Sequence, residues 1–207
     1  MHVIKLKNSF YDANAYLVDG KMLIDVGIDS TSIIAQLENH LSSDLETIIL
    51  THCHFDHSGG AKEVASEFGA KIAIHMEDAR LLNNPHASVA EFFGSQAPVI
   101  DPDILLKGGE VIGGLQVIHT PGHTPGGISL YNPESRLLFT GDTVFQEGGF
   151  GRTDFYGGSA HKLIESLRKL SMLDVSIMYP GHGDIVTEDA NGQIRLSLMM
   201  AEQYSGT

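Results

Sequence analysis

Seven consecutive residues, Thr51-His52-Cys53-His54-Phe55-Asp56-His57, bring three histidines and an aspartate together. Imidazole nitrogens and carboxylate oxygens are the donors that a borderline cation such as zinc takes up. If the chain runs extended here, the two-residue spacing places His52, His54 and Asp56 on one side. Cys53 and Phe55 then turn the other way, into the body of the protein. His57 breaks the alternation and has to approach from another direction. Two imidazoles at this spacing suit one cation. The adjacent Asp56-His57 pair suits a second, or orients the first pair through hydrogen bonds. A polar loop with chance histidines is the alternative, and four ligand-type residues in seven argue against it.

Three later segments share one design, an apolar run that ends in a turn carrying a ligand-type residue. They are Val117-Ile118-His119-Thr120-Pro121-Gly122-His123, then Leu137-Leu138-Phe139-Thr140-Gly141-Asp142, then Ile177-Met178-Tyr179-Pro180-Gly181-His182. Glycine beside each candidate lets the backbone come close, and proline fixes the entry angle. Rigid turns suit metal ligands, because coordination tolerates little positional error. Each turn alone reads as a glycine-rich bend with a chance His or Asp. Together with the first cluster they supply seven ligand-type residues, which points to a two-metal site. His119 precedes its turn and reads as a core or hydrogen-bonding residue. His75 reads as structural, and His2, His40, His86 and His161 as surface residues.

The elements that must position these turns follow from periodicity. Val3 to Lys7 alternates as a strand, and Asn14 to Val18 and Met22 to Asp25 flank the hairpin signal Asp19-Gly20. Asp25, at the end of an apolar strand and before a glycine, reads first as a turn former. Asp29 or Ser30 can cap a helix to about Leu41 with Ile33, Ile34, Leu37 and Leu41 inward. Thr47 to Leu50 is a buried strand, a helix-like segment ends near Phe68, and Lys71 to Ile74 is a strand, so residues 48–74 form a βαβ unit. The first ligand cluster thus lies at the C-terminal end of a strand, where open α/β sheets gather their ligands. Residues 76–82 look helical. Residues 83–103, broken by Pro85, Gly94, Pro98 and Pro102, read as a lid or substrate-contacting loop. Phe92 and Phe93 are expected to pack that loop onto the core. Strands follow at 110–112, 115–119, 128–131, 136–140 and 175–178, with helices from Ser159 or Ala160 to Leu170 and over 193–204.

The chain of 207 residues is long enough for a full core, and one domain is the default reading. A formal net charge of −13 argues against binding nucleic acid or an anionic membrane through a general basic field. No stretch has the length and apolarity of a membrane span. The single cysteine, Cys53, cannot form an internal disulfide and fits a reducing compartment, so the expected location is the cytoplasm.

The cluster and its three companion turns resemble the metallo-β-lactamase superfamily. Thr-His-Cys-His-Phe-Asp-His matches its H-x-H-x-D-H motif, and His123, Asp142 and His182 fall in the expected order. The resemblance implies an α+β fold, an αβ/βα four-layer sandwich of two mixed β-sheets flanked by helices, in a single domain over residues 1–207. It implies that His52, His54 and His123 hold one metal, that Asp56, His57 and His182 hold a second, and that Asp142 bridges them. It also shifts Asp25 from turn former to a support behind the ligands. The cofactors implied are two divalent ions, with zinc first and iron or a zinc–iron pair as alternatives.

Within that superfamily, Thr120-Pro121-Gly122-His123-Thr124-Pro125-Gly126, Gly141-Asp142-Thr143-Val144-Phe145, Gly151-Arg152-Thr153-Asp154 and Pro180-Gly181-His182-Gly183 look most like the small glyoxalase II-type thioester hydrolases. The implied reaction is attack of a metal-bridging hydroxide on a thioester of a small molecule, with Asp56 orienting the nucleophile. Arg152 lies near a basic, glutathione-contacting position of that family. The longer family members add a C-terminal helical region with further basic contacts, whereas this chain has one terminal helix, so another thiol carrier is an alternative. Gly-Arg-Thr-Asp-Phe also resembles the persulfide dioxygenases, which use one iron held by two histidines and an aspartate. Lactone or β-lactam hydrolysis would draw on the same metal chemistry.

Overall fold

Alternation at the N-terminus and continuous apolar runs after it build a mixed sheet in the computed structural model, which describes residues 1–7, 9 and 11–205. The described chain divides into two compact units, Met1–Leu106 and Lys107–Thr207. In the first, β1 (Val3–Leu6), β2 (Ala15–Val18) and β3 (Met22–Ile24) pair antiparallel. Asp19 and Gly20 both take positive φ, 49° and 65°, and Lys21 N–H donates to the Val18 carbonyl at 3.2 Å, closing the turn that these two residues forecast. β4 (Thr47–Ile49), β5 (Lys71–His75) and β6 (Ile104–Leu106) then add in parallel, giving the order β1-β2-β3-β4-β5-β6. β4 has a parallel neighbour on each side, which is why it reads as an unbroken apolar run rather than an alternating one.

Helix α1 (Ser30–His40) starts where the Asp29 carboxylate accepts from Ser32 N–H at 3.1 Å. It buries Ile33 and Leu37 against Leu17, Leu23, Ile48 and Leu50, with Ile34 and Leu41 at the edge of that core. The expected extended passage through the ligand cluster is a bend instead. Residues Phe55–Ser58 form a helical turn, α2, before α3 (Ala61–Phe68). Asp56 and His57 therefore sit on a helix, and strand alternation does not govern them. Cys53 and Phe55 are buried all the same. The segment after β5 is helical only over α4 (Met76–Ala79) and then breaks into turns. In the 83–103 segment a 3₁₀ turn covers Ala90–Phe93. Phe92 is 73% exposed, against the expectation that it packs inward, while the Phe93 ring lies 5.9 Å from that of Phe55.

The second unit carries β7 (Val111–Ile112), β8 (Leu115–His119), β9 (Ile128–Asn132), β10 (Leu137–Gly141) and β11 (Ile177–Pro180), in the order β11-β10-β9-β8-β7. All pairs are antiparallel except β10 with β11, which α5 (Ala160–Ser171) separates in the chain. β11 starts two residues later than expected, because Ile177 is the residue opposite Leu137. Val175 is buried in the core, yet its N–H donates to the Asn191 side chain at 3.1 Å instead of to a neighbouring strand. Helix α6 (Ala190–Ser205) is longer than the sequence pattern indicates. Leu163, Leu167 and Leu170 of α5 meet Ile194 and Ala201 of α6 over Leu138 and Met178. Two mixed sheets flanked by helices are thus the observed architecture. Among the described residues no helix is long and apolar enough to cross a membrane.

Candidate metal centre

In the first unit, two buried carboxylates fix the ligand loop. Asp25 follows β3, is 2% exposed and takes φ 53°. Its carboxylate accepts from Thr51 N–H and from the Thr51 hydroxyl, both at 2.7 Å. It also lies 2.8 Å from His57 Nδ1. A carboxylate only accepts, so Nδ1 carries the proton and Nε2 is the lone-pair nitrogen. Asp78, on α4 and fully buried, accepts from Cys53 N–H at 2.9 Å. The N–H groups of both neighbours of His52, Thr51 and Cys53, are therefore held by buried acceptors.

His52 Nε2 and His54 Nδ1 face one another at 3.1 Å. Two nitrogens on one tetrahedral zinc, each ~2.0–2.1 Å from it, lie roughly 3.3 Å apart, so the pair has the spacing of shared ligands. His57 Nε2 faces Asp56 Oδ2 at 3.9 Å. His52, His54 and His57 are buried, and Asp56 is partly exposed.

In the second unit, the turn after β8 is clamped onto the start of α5. Ser159 N–H donates to the Gly122 carbonyl at 2.7 Å, and the Ser166 hydroxyl to the Pro121 carbonyl at 2.7 Å. Gly122 has φ 141°, and a Cβ there would stand 2.4 Å from Leu163 Cα. The next residue, His123, donates from Nδ1 to the Arg152 carbonyl at 2.7 Å, which leaves its Nε2 as the lone-pair nitrogen. That Nε2 lies 3.5 Å from Asp142 Oδ2, and His182 Nε2 lies 3.6 Å from the same oxygen. A carboxylate oxygen flanked by two imidazole nitrogens, one of them oriented by a backbone carbonyl behind it, is a donor set that fits divalent cations. Gly181 N–H donates to the Gly141 carbonyl at 2.9 Å and ties the Asp142 and His182 turns together.

Each unit thus gathers its own share of the expected residues: His52, His54, Asp56, His57 and Asp25 in one, His123, Asp142 and His182 in the other. His119 donates from Nε2 to the Pro125 carbonyl, 2.9 Å away, and His75 Nδ1 accepts from Glu77 N–H at the start of α4, as expected of structural histidines. Burial first, and then Asp78, push the Cys53 thiol well above its ordinary pKa, so it is a buried neutral group. Arg152 donates from Nε and Nη2 to Asp154 at 2.7 and 2.5 Å, and its guanidinium stacks 4.0 Å over the Phe155 ring. The Arg152 hydrogen bond holds the Asp154 carboxyl at a pKa of about 2. Sequence reasoning missed Asp78 and the Thr51 side chain. Asp78 sits in Met76-Glu77-Asp78-Ala79, where acids near a helix start need no further explanation.

The metallo-beta-lactamase superfamily model matches residues 9–182. Hydroxyacylglutathione hydrolase GloC of Haemophilus influenzae is 37% identical over 175 residues, covering 80% of this chain and 81% of that protein. The crystal structure of the BLEG-1 B3 metallo-beta-lactamase superposes with a TM-score of 0.81 at 32% identity, over 93% of this chain and 94% of that one. TTHA1623, solved in a di-iron-bound form, superposes with a TM-score of 0.78 at 30% identity, over 97% of both chains.

Proposed function

The chain belongs to the metallo-beta-lactamase superfamily of metallo-hydrolases, and we propose that it is a two-metal hydrolase of small-molecule thioesters, built from both units as one catalytic domain. His52, His54 and His123 would hold one cation and Asp56, His57 and His182 the other, and Asp142 would serve both. Two observations carry this reading, one within each unit: Asp142 Oδ2 lies 3.5 and 3.6 Å from the Nε2 atoms of His123 and His182, and His52 Nε2 lies 3.1 Å from His54 Nδ1. The donors are nitrogen and oxygen, which suits zinc and equally iron or a mixed pair. Similarity to GloC supports the thioester, and similarity to BLEG-1 keeps β-lactam and lactone rings as the second reading.

When bound, the cations supply Lewis acidity and a water acidified toward neutral pH. The protein's own groups do the rest. Asp56, the most exposed of the four donors in its cluster, accepts a hydrogen bond from the attacking water and aims its lone pair at the thioester carbonyl carbon. The C–S bond then breaks and the sulfur departs as thiolate. Ordinary thiols have a pKa of about 8.5, so no general acid is needed for this step. Cys53 is no nucleophile, being buried and neutral. That thiol suits a reducing cytoplasm as the setting.

Protein purified without added metal should contain two divalent ions per chain and turn over S-lactoylglutathione. A chelator should abolish the activity, and zinc should restore it. One iron per chain, with oxygen uptake on glutathione persulfide, would replace this reading with that of a persulfide dioxygenase.

A further inference from the structure

In the second unit, a cavity of about 460 Å³ lies between the β7–β8 edge of the sheet and the last turn of α5. Its volume is in the range of small-molecule sites. None of the residues around it belongs to the candidate ligand set. Lys107, from the loop before β7, and Lys169, from α5, bring two ammonium groups to it from separate elements. No acidic residue lines it, in a chain that carries 26 Asp and Glu against 13 Lys and Arg. Among the described residues no carboxylate pairs with either ammonium. Lys169 Nζ donates to the His119 carbonyl at 2.7 Å, which engages one of its three N–H donors. The acid that follows in the chain, Glu110, is tied to the loop's own backbone, accepting from Lys107 N–H at 2.9 Å and Gly108 N–H at 2.8 Å. The loop also lies close on β8, since a Cβ on Gly108 would stand 3.1 Å from His119 Cβ. Lys107 is thus carried by a braced turn. The rest of the lining includes the aliphatic Val111 and Ile118 and the amide of Gln116.

We propose that this cavity is a binding site for a small aliphatic phosphate monoester, separate from the metal centre. A phosphate monoester carries a charge of about −1.5 to −2 at pH 7, which two ammonium groups match. Lysine serves a phosphate as a point charge, whereas a planar carboxylate is better met by the arginine fork, and no arginine lines the cavity. Val111 and Ile118 offer apolar surface to the carbon chain of the ester, and the Gln116 amide can donate to or accept from its hydroxyls. Apart from the His119 imidazole the lining holds no aromatic ring, so a nucleobase finds little to stack on and a polyol or sugar body fits better. The site shares no residue with the candidate metal ligands and does not depend on which ester or ring the protein hydrolyses.

The test is calorimetric titration of the zinc-loaded protein at constant ionic strength with glycerol 3-phosphate and glucose 6-phosphate. Inorganic phosphate and glycerol serve as the two halves of the first ligand. At least one ester should bind, and more tightly than inorganic phosphate, while glycerol should give no binding heat. Lys107→Gln should weaken that ester about tenfold, the loss of one charge-assisted hydrogen bond. Lys169→Gln should weaken it similarly, and the double variant by on the order of a hundredfold. Because Lys169→Gln also removes the bond to the His119 carbonyl, Lys107→Gln is the deciding single variant. Failure of both esters to bind the wild type overturns the proposal. So does equal ester affinity in the wild type and the double variant, which would put the phosphate on the zinc ions or elsewhere. Inorganic phosphate that binds as tightly as the esters, with the same dependence on the two lysines, would make the occupant the free ion and overturn the ester.

Discussion

Asp25 shows how much one buried side chain can organise. Its two oxygens take up the backbone and hydroxyl of Thr51 and the Nδ1 proton of His57, so it fixes one end of the ligand loop and the tautomer of a ligand. Replacing it by alanine leaves those buried donors without an acceptor, at about 1–3 kcal/mol each. Asp25→Ala should lower zinc affinity roughly 10- to 100-fold in competition with a chelator, the usual effect of losing such a partner. Asp25→Asn, which keeps one acceptor for Thr51, should fall between. Unchanged affinity in Asp25→Ala would remove Asp25 from the site. At this scale the sequence was informative where side chain meets metal and silent where side chain meets backbone. His123, Asp142 and His182 announce themselves by sitting in glycine- and proline-bounded turns. Asp78 does not, because its partner is the peptide N–H of Cys53, 25 positions away, which leaves no residue-type signature.

The elements matter through how they grip these turns. The His123 turn is held by α5, whose Ser159 cap also sends its own N–H to the Gly122 carbonyl. Gly122 combines a φ of 141° with a Cβ position 2.4 Å from Leu163 Cα, so a side chain there has to displace either the turn or the helix. Gly122→Ala should destabilise the protein by about 1–3 kcal/mol and also weaken zinc binding, since His123 moves with the turn. Ser159→Ala removes only the side-chain cap. It should lower stability by about 1 kcal/mol in urea denaturation and leave zinc affinity as it was. Equal metal affinity in both variants would mean that the turn holds His123 without α5. Long periodic helices such as α1 and α5 were readable from their apolar spacing. The four-residue α2 was not, because a single turn has no periodicity to detect, and the H-x-H-x-D spacing reads equally well as a strand.

Across the whole molecule, the family resemblance implies two mixed sheets, and two are found. Their membership was less legible. Ile104 to Leu106, which the sequence reading does not single out as a strand, pairs in parallel with β5 and closes the sheet of the first unit. A strand's own residues say that it is buried, not which neighbour it joins. The break between the units, at Leu106 and Lys107, has no proline- or serine-rich linker to mark it. The seven ligand-type residues are divided over both units, so the account of function stands on their acting together. The most direct measurement is zinc-edge anomalous scattering from crystals grown with zinc. The account predicts two peaks, one ligated by His52, His54 and His123, the other by Asp56, His57 and His182, with Asp142 bound to both. A single peak, or zinc bound in the first unit with His123, Asp142 and His182 left uncoordinated, would contradict it.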